Sequence, residues 1–303
     1  CMPGIAVILI TLWFSRDAAL KESEKKVMHI ADHLVLQQKN IIDDVKRLNL
    51  FLANKNLSIT KMSANCPSYF LDLQTLYSNI ANVSIYNRQG DILCATKGKN
   101  QHINIRDRQY FQHALTTKTF SIGSYQIGRS IHAPNLAFAS PILDENGQIT
   151  GMLVASIALQ WWNSALNNLN LPNNSRAVIT DSNGLVLAKF PFSADRLGKK
   201  ITNEDLDHSQ QAGIIYRGND GASRIYNHTT LYKDNSGNQL SIYITQPVDK
   251  MIEQIDINFV KMVLGFLITI LLLAVLVKRL INKSILNPVK SLTQAVNHLA
   301  AGN

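Results

Sequence analysis

The sequence predicts an α+β protein in which a long N-terminal stalk helix precedes two tandem antiparallel-sheet units, with a membrane-crossing helix at each end. Three observations carry this prediction. A long apolar run lies near the C-terminus, a seven-residue apolar repeat follows the N-terminus, and one pair of hairpin sequences occurs twice in the same order.

The composition restricts the class of protein. The chain has 303 residues, of which 46% are hydrophobic and 17% charged, which excludes a disordered chain. The net charge is +9, but residues 258–303 contain five basic side chains and no acidic one. Because over half of the charge excess adjoins an apolar segment, it indicates a membrane flank and excludes nucleic acid as a partner.

The apolar run Met262–Val277 contains no charged residue and predicts a transmembrane helix over residues 258–281. All its faces are apolar, whereas a core helix of a small soluble domain keeps a polar stripe. Lys278 and Arg279 follow directly, and the positive-inside rule then places the C-terminal side in the cytoplasm. Residues 15–257 are therefore expected to be extracytoplasmic.

Residues 1–14 are interpreted as the remainder of a first transmembrane helix. The run is too short to span a bilayer, and no small-residue cleavage site of a signal peptide follows it. Trp13 and Phe14 fit an aromatic belt at the membrane interface. Since Cys1 opens directly into this run, we expect the sequence to be cut at its front end.

Residues 15–56 predict the stalk helix. No Gly or Pro interrupts residues 14–51, and apolar residues recur at every seventh position. The repeat consists of Leu20, Val27, Leu34, Ile41 and Leu48. This seam can bury against the domain of the same chain or against a second copy, and we expect both along so long a helix, which favours a homodimer.

Two stretches of short alternating strands follow, each with two hairpins. Residues 83–93 and 177–187 are each a strand, a polar turn ending in Gly and a strand, and a second such pair of turns occurs at residues 144–147 and 234–237. The same two hairpins in the same order indicate a duplicated α+β unit. The first unit, with a connecting helix, covers residues 57–170, and the second covers residues 171–257.

These features resemble the double-Cache extracytoplasmic sensor domains of bacterial receptors, built from two PAS-like sheet units. The resemblance rests on the segment Arg106-Asp-Arg-Gln-Tyr-Phe111, which is similar to the family's R-D-R-x-Y-F helix. It rests also on the strand at residues 151–157. Residues 282–303, in which Pro288 opens a heptad-spaced helix ending in Ala-Gly, resemble the first part of a HAMP linker. A HAMP start implies a cytoplasmic output domain beyond this sequence.

The resemblance implies the non-enzymatic sensory half of a receptor in the bacterial inner membrane. The ligand would bind in the first, membrane-distal unit, and transmembrane helix 2 and HAMP would relay the signal within a homodimer. The expected output is a GGDEF diguanylate cyclase acting in c-di-GMP signalling. The alternatives are a histidine kinase or a chemoreceptor, and more remotely an anchored extracytoplasmic enzyme or a structural scaffold.

The family's ligand helix carries over to Arg108, Tyr110 and Phe111, with Tyr125 on the following strand. An arginine fork beside aromatic rings suits a carboxylate or a similar planar anion. Arg129 adds positive charge, as do Lys97, Lys99 and Arg106. The alternative is a purely structural role, in which Arg108 pairs with Asp107 or caps a loop while Tyr110 and Phe111 belong to the hydrophobic core.

The amino-acid-binding version of the family adds a tyrosine and an aspartate that hold the ligand's ammonium. Ile103 and Ser156 occupy those positions here, and Ser156 is kept as a neutral pocket residue. Because an unpaired buried ammonium is costly, a free α-amino acid is not the expected ligand. The expected ligand is a small anionic or polar metabolite.

The resemblance also implies a disulfide between Cys66 and Cys94, which an oxidising compartment would favour; the alternative is two separate buried thiols. His29 and His33 lie one helical turn apart, but no third ligand adjoins them, so we expect no metal site and no cofactor. No catalytic motif occurs, so no catalytic residue is assigned.

Overall fold

The computed structural model describes residues 2–54, 77–97, 102–168, 171, 174–202, 215–217 and 221–290. The chain divides into two compact parts. One contains residues 24–249 and holds both sheets, and the other contains residues 1–23 and 250–303. Each part is described by itself.

Four helices are present in the described residues. The first, α1, runs over Met2–Ala53 without a Gly or Pro after its first turn. The others are α2 (Gln109–Thr117), α3 (Leu159–Asn167) and α4 (Asp249–Ile281). A short 3₁₀ turn covers Ala194–Arg196.

The first sheet is antiparallel in the order β2-β1-β6-β5-β3, and β4 also pairs with β5. Its strands are β1 (Ile80–Asn87), β2 (Ile92–Ala95), β3 (Ser121–Ile122), β4 (Gln126–Ile127), β5 (Pro134–Leu143) and β6 (Ile149–Ala158).

The second sheet is antiparallel in the corresponding order β8-β7-β11-β10-β9. Its strands are β7 (Arg176–Thr180), β8 (Val186–Phe190), β9 (Ile215–Arg217), β10 (Ser223–Lys233) and β11 (Gln239–Pro247). The predicted fold class, a long helix followed by two tandem antiparallel-sheet units, is confirmed. Below, the first and second units are these sheets with their own loops and helices.

The four predicted hairpin turns share one chemistry. In each, the side chain that opens the turn accepts backbone N–H groups further along it, as Asn87 Oδ1 does from Asp91 N at 2.8 Å. A glycine with positive φ then closes the turn, for example Gly90 at 88°. The duplication seen in the sequence is therefore also a duplication of turn geometry.

A stripe of α1 forms one continuous core with both sheets. Leu34 and Ile42 of α1 are 2% and 0% exposed, and they belong to the same apolar cluster as Ile85 of the first sheet and Ile179 of the second. At this interface Trp162 Nε1 donates a buried hydrogen bond to Gln38 Oε1 at 2.7 Å. The helix therefore holds the two sheets as one body by burial of apolar surface.

The seven-residue seam is used within the chain. Val27, Leu34 and Leu48 are at most 6% exposed, and Ile41 is half-buried against the same cluster. The side chain of Leu20 lies outside the described residues. Charged substitutions at Leu34 and Ile41 would therefore damage this core. Of the two partners that the sequence left open for the seam, the domain of the same chain is the one found at these positions.

The helical segment Ile252–Lys290 is long and apolar enough to cross a membrane, with a mean hydropathy of 2.8 in its most apolar window; no other helix among the described residues meets this measure. Within it, a π-helical turn, Asn282–Leu286, precedes Pro288, which has no N–H to continue α-helical bonding. In the same compact part, Arg16 Nη2 pairs with Asp256 Oδ1 at 2.7 Å. Residues 291–303, with most of the predicted HAMP helix, lie outside the described residues.

Replacing Leu34 by Ala is expected to lower the free energy of unfolding by about 2–5 kcal/mol, because it opens a cavity where α1 meets the sheets. Leu36→Ala is the matched control: it removes the same atoms from the same helix, but Leu36 is 55% exposed, so a change within about 0.5 kcal/mol is expected. Urea unfolding of the full chain in detergent, followed by circular dichroism, measures both. Equal effects would contradict the assignment of the core.

Candidate functional site

A pocket lies on the face of the first sheet turned away from α1. The depression takes in about 340 Å³ of space free of protein atoms, which includes open solvent at its mouth. β1, β5 and β6 form its floor, and the start of α2 and the segment around β4 form its walls. It is lined by Asn82, Ser84, Tyr86, Ile105, Arg108, Tyr110, Gln126, Gly128, Arg129, Ser130, Ile131, Asn135, Val154 and Ser156.

Strand alternation explains why the floor is polar. Along β1, Asn82 and Ser84 line the pocket, while Val83 and Ile85 between them belong to the core that contains α1. The pairing of β1 with β6 places Ser156 opposite Asn82. These side chains are buried, so their polarity is not explained by contact with bulk solvent.

Arg108 stands at the entrance of α2. It is the N-terminal cap of that helix, and its carbonyl oxygen accepts the N–H groups of Phe111 and Gln112, both at 3.1 Å. Its half-buried guanidinium donates from Nη2 to the carbonyl oxygen of Ile127 at 3.3 Å. The start of α2 therefore presents a guanidinium to the pocket and links it to β4.

Asp107 pairs with Arg129 and not with Arg108. Arg129 Nη1 and Nη2 donate to the two carboxylate oxygens of Asp107 at 2.7 and 2.8 Å. These hydrogen bonds hold the pKa of the Asp107 carboxyl below its ordinary value and raise the pKa of Arg129. The charge of Arg129 is partly neutralised by this pair, whereas Arg108 has no carboxylate within ion-pair distance in the described residues.

Two tyrosine hydroxyls face the same space. Burial raises the pKa of Tyr86 and, more strongly, that of Tyr110, which is 5% exposed. Both phenols are therefore protonated at physiological pH and can donate a hydrogen bond to an anionic ligand group.

No acidic side chain lines the pocket in the part of the chain that the structure describes. Asn135, which is 2% exposed, directs the neutral acceptor atom Oδ1 to a position with no hydrogen-bond partner. Gly128 packs tightly on this amide, since a Cβ there would lie 2.3 Å from Asn135 Nδ2. The lining thus combines guanidinium and hydroxyl donors with a few neutral acceptors.

The structure brings together four of the six ligand-binding residues expected from the sequence: Arg108, Tyr110, Arg129 and Ser156. Phe111 is 0% exposed in the apolar core beside the pocket, and Ile103 belongs to that core too. Tyr125 packs on the other apolar cluster, near the second unit. Phe111 and Tyr125 therefore lie outside the pocket lining, because the turn of α2 and the bend before β4 direct them elsewhere.

The sequence reasoning missed the floor of the pocket. Asn82, Ser84 and Tyr86 come from β1, and Gln126 and Asn135 from β4 and β5. A signal was available, since polar or hydroxylated residues alternate with apolar ones along a strand between buried neighbours. Of the other basic residues, Lys97 and Arg106 are exposed and outside the lining, and Lys99 lies outside the described residues.

Cys94 lies in β2, is 1% exposed and is disulfide-bonded. Cys66 lies outside the described residues, so its pairing with Cys94 stays a prediction. Among the described residues, no group of three or more His, Cys, Asp or Glu side chains is arranged to hold a metal ion.

Comparisons with known proteins agree on one fold. A Cache domain family model, dCache_1, matches residues 15–255. The ligand-binding domain of the Pseudomonas fluorescens chemoreceptor CtaA, solved with L-isoleucine, is 15% identical and has a TM-score of 0.60 over 79% of this chain and 98% of that domain. That of the Pseudomonas aeruginosa amino acid chemoreceptor PctB, with L-Arg, is 19% identical and has a TM-score of 0.55 over 75% of this chain and 96% of that domain.

A curated relative also matches by sequence. Sporulation kinase D of Bacillus subtilis is 29% identical over 84 residues, which are 28% of this chain. The match spans 17% of the length of that kinase. The likeness to the solved structures establishes the fold.

The predicted Cys66–Cys94 disulfide is testable by thiol labelling. Wild-type chain unfolded without reductant should show no reaction of either residue with a maleimide, whereas Cys66→Ser should leave Cys94 reactive. Closing a loop of about 27 residues is expected to stabilise the fold by about 3 kcal/mol. Cys1→Ser is the control and should leave Cys94 unreactive; labelling of Cys94 there would assign its partner to Cys1.

Proposed function

This chain belongs to the Cache domain family, and we propose that it is the ligand-binding input of a membrane signalling receptor. The pocket of the first unit is the sensory site. Its ligand is a small anionic or strongly hydrogen-bonding metabolite, held by Arg108 with Tyr110 beside it. Residues 15–255 form a binding module and not an enzyme.

The balance of charge in the pocket carries this proposal. Two guanidiniums and two protonated phenols line it, and Asp107, the carboxylate nearest to them in sequence, is engaged by Arg129. A carboxylate or similar planar anion would accept hydrogen bonds from Arg108 in the fork geometry that arginine favours. Asn135 Oδ1 is buried without a hydrogen-bond partner, and a small shift of this side chain would offer it as an acceptor to a neutral N–H or O–H group of the same ligand.

A free amino acid is the second candidate. CtaA and PctB were solved with L-isoleucine and L-Arg, and both have this fold. An amino acid would fit its carboxylate to Arg108 equally well, but its ammonium would meet only neutral acceptors among the described lining residues. Because an uncompensated buried charge is costly, we favour ligands without an ammonium group.

The signal would pass to the cytoplasm through α4 and the HAMP-like segment within a homodimer. This assigns residues 15–257 to the extracytoplasmic side of the bacterial inner membrane and makes the protein multi-pass. Exposed apolar side chains of α1, such as Ile30, offer surface to a second copy. The diguanylate cyclase output stays a prediction; CtaA and PctB are chemoreceptors, and the relative found by sequence is a kinase.

Arg108→Ala is expected to weaken ligand binding about tenfold to a hundredfold, because it removes a charge-assisted hydrogen bond to the ligand. The measurement is a thermal-shift screen of the full chain in detergent with carboxylates such as succinate, nucleobases and amino acids, followed by calorimetric titration of the best hit. Arg106→Ala is the matched control. It removes the same charge two positions away from an exposed side chain outside the pocket.

Equal losses in Arg106→Ala and Arg108→Ala would show a general field effect and sink the assignment of Arg108. A best hit unaffected by either change would place the ligand outside this pocket. If a free amino acid gives the largest shift and depends on Arg108, the second candidate is correct and the preference for ligands without an ammonium is wrong.

Gly128→Ala tests the pocket itself. The added methyl group would overlap the Asn135 amide and also lie 2.8 Å from Ile131 Cγ1, so these two side chains of the pocket lining must shift. We expect the thermal shift given by the best ligand to disappear while circular dichroism stays that of the wild type. Wild-type affinity in this variant would show that the ligand does not occupy the space beside Asn135.

A further inference from the structure

The two hairpin turns of the second unit each contain an aspartate with two separate tasks. Asp181 Oδ1 accepts the backbone N–H groups of Asn183 and Leu185, both at 2.9 Å, and these bonds close the turn. Asp234 Oδ1 closes the other turn in the same way at the same distances. Oδ1 of each carboxylate therefore accepts the backbone N–H groups of the turn, although Asp234 Oδ2 also accepts the side-chain Nδ2 of Asn238 within its own turn at 3.0 Å.

The second oxygen of each carboxylate reaches the first unit. Asp181 Oδ2 accepts the backbone N–H of Tyr125 at 2.9 Å. Asp234 Oδ2 accepts the backbone N–H of Ile122 and the hydroxyl of Ser121, both at 3.1 Å. Asp181 is 4% exposed and Asp234 is 6% exposed. Their hydrogen bonds to the first unit have a carboxylate as acceptor, and such charge-assisted hydrogen bonds are stronger than those between neutral groups.

The first unit shows that the turn alone does not need such a bond. Asp144 opens the equivalent turn and closes it from Oδ1, to Asn146 N at 2.9 Å and Gln148 N at 2.8 Å. Its side chain is exposed, and no hydrogen bond of its Oδ2 occurs among the described residues. The bonds from Asp181 and Asp234 to the first unit are therefore additional to hairpin formation.

The segment held by the two aspartates borders the pocket. Tyr125 is followed at once by Gln126, which lines the pocket, and then by Ile127, whose carbonyl accepts from Arg108. The ring of Tyr125 also lies on the backbone of the second unit, since a Cβ on Gly198 would come within 2.4 Å of Tyr125 Cζ. The pocket wall is thus fixed from the second unit by hydrogen bonds and by a close packing contact.

We propose that Asp181 and Asp234 are positioning residues of the sensory site and couple its occupancy to the second unit. They set the place of residues 121–127, and by reciprocity a ligand that engages Arg108 and Gln126 changes the stability of the two turns. This inference rests on the proposed function of the pocket, because it assigns the route by which that site is read out.

Replacement of each aspartate by asparagine is the most selective test of the coupling between the pocket and the second unit. In Asp181→Asn and Asp234→Asn, the amide oxygen still closes the turn, while the amide N–H₂ group faces the N–H donors of the first unit where a carboxylate oxygen accepted them. Asp144→Asn is the matched control, with the same turn and the same chemical change but no bond to the other unit.

The first measurement is hydrogen–deuterium exchange by mass spectrometry on the full chain in nanodiscs, with and without succinate as the probe. In the wild type, succinate is expected to slow exchange in the turns at residues 181–185 and 234–238 as well as at residues 121–127. In Asp181→Asn and Asp234→Asn this remote protection disappears, and succinate binds about fivefold or more weakly. Asp144→Asn behaves like the wild type.

Remote protection that persists in both variants, or protection confined to the first unit in the wild type, would overturn the coupling. A brace that merely stabilises the fold would lower the melting temperature without removing ligand-dependent protection at a distance, so the two roles are separated.

If succinate does not bind the wild type, the coupling is tested without ligand. Gly128→Ala then perturbs the pocket from within, and the same exchange experiment is read at the two turns. The coupling predicts a change in exchange there for Gly128→Ala that is absent when Asp181→Asn is also present. No change at the turns in Gly128→Ala would refute it.

Discussion

The burial of one apolar stripe of α1 against both sheets is the constraint on which the rest of the structure depends. Leu34 and Ile42 share a single cluster with strands of the first and second sheets, so neither sheet has a core of its own on that face. Each sheet then has one face committed to the helix, and only the opposite face is left to form a ligand site.

The polar character of the pocket follows from that commitment. Side chains along a strand alternate between the two faces of the sheet. Val83 and Ile85 therefore face α1, and Ser84 between them faces the pocket. A buried polar floor is costly unless it is hydrogen-bonded, and Asn135 Oδ1 has no partner within the protein. In the ligand complex proposed above, a donor that reaches this oxygen would offset a cost already present in the fold.

The two copies of the duplicated unit differ in the surroundings of their turn aspartates. Both copies carry the same turn chemistry, but the aspartates of the second copy are buried at the junction of the two units, while Asp144 of the first is exposed. Packing of one copy on the other, and not the local sequence, decides whether a turn carboxylate has a second partner.

The sequence by itself determined the fold class, the duplication, the four hairpin turns and the presence of Arg108 in the pocket lining, because these depend on local signals: periodicity, turn glycines and a short motif. Tertiary structure decided the rest. The burial of Leu34 within its own chain, the departure of Tyr125 from the pocket and the inclusion of Asn135 depend on which face each strand presents and on contacts between residues far apart in sequence. Heptad spacing and motif position carry no information on those contacts, since one apolar seam suits a neighbouring sheet and a second copy equally well.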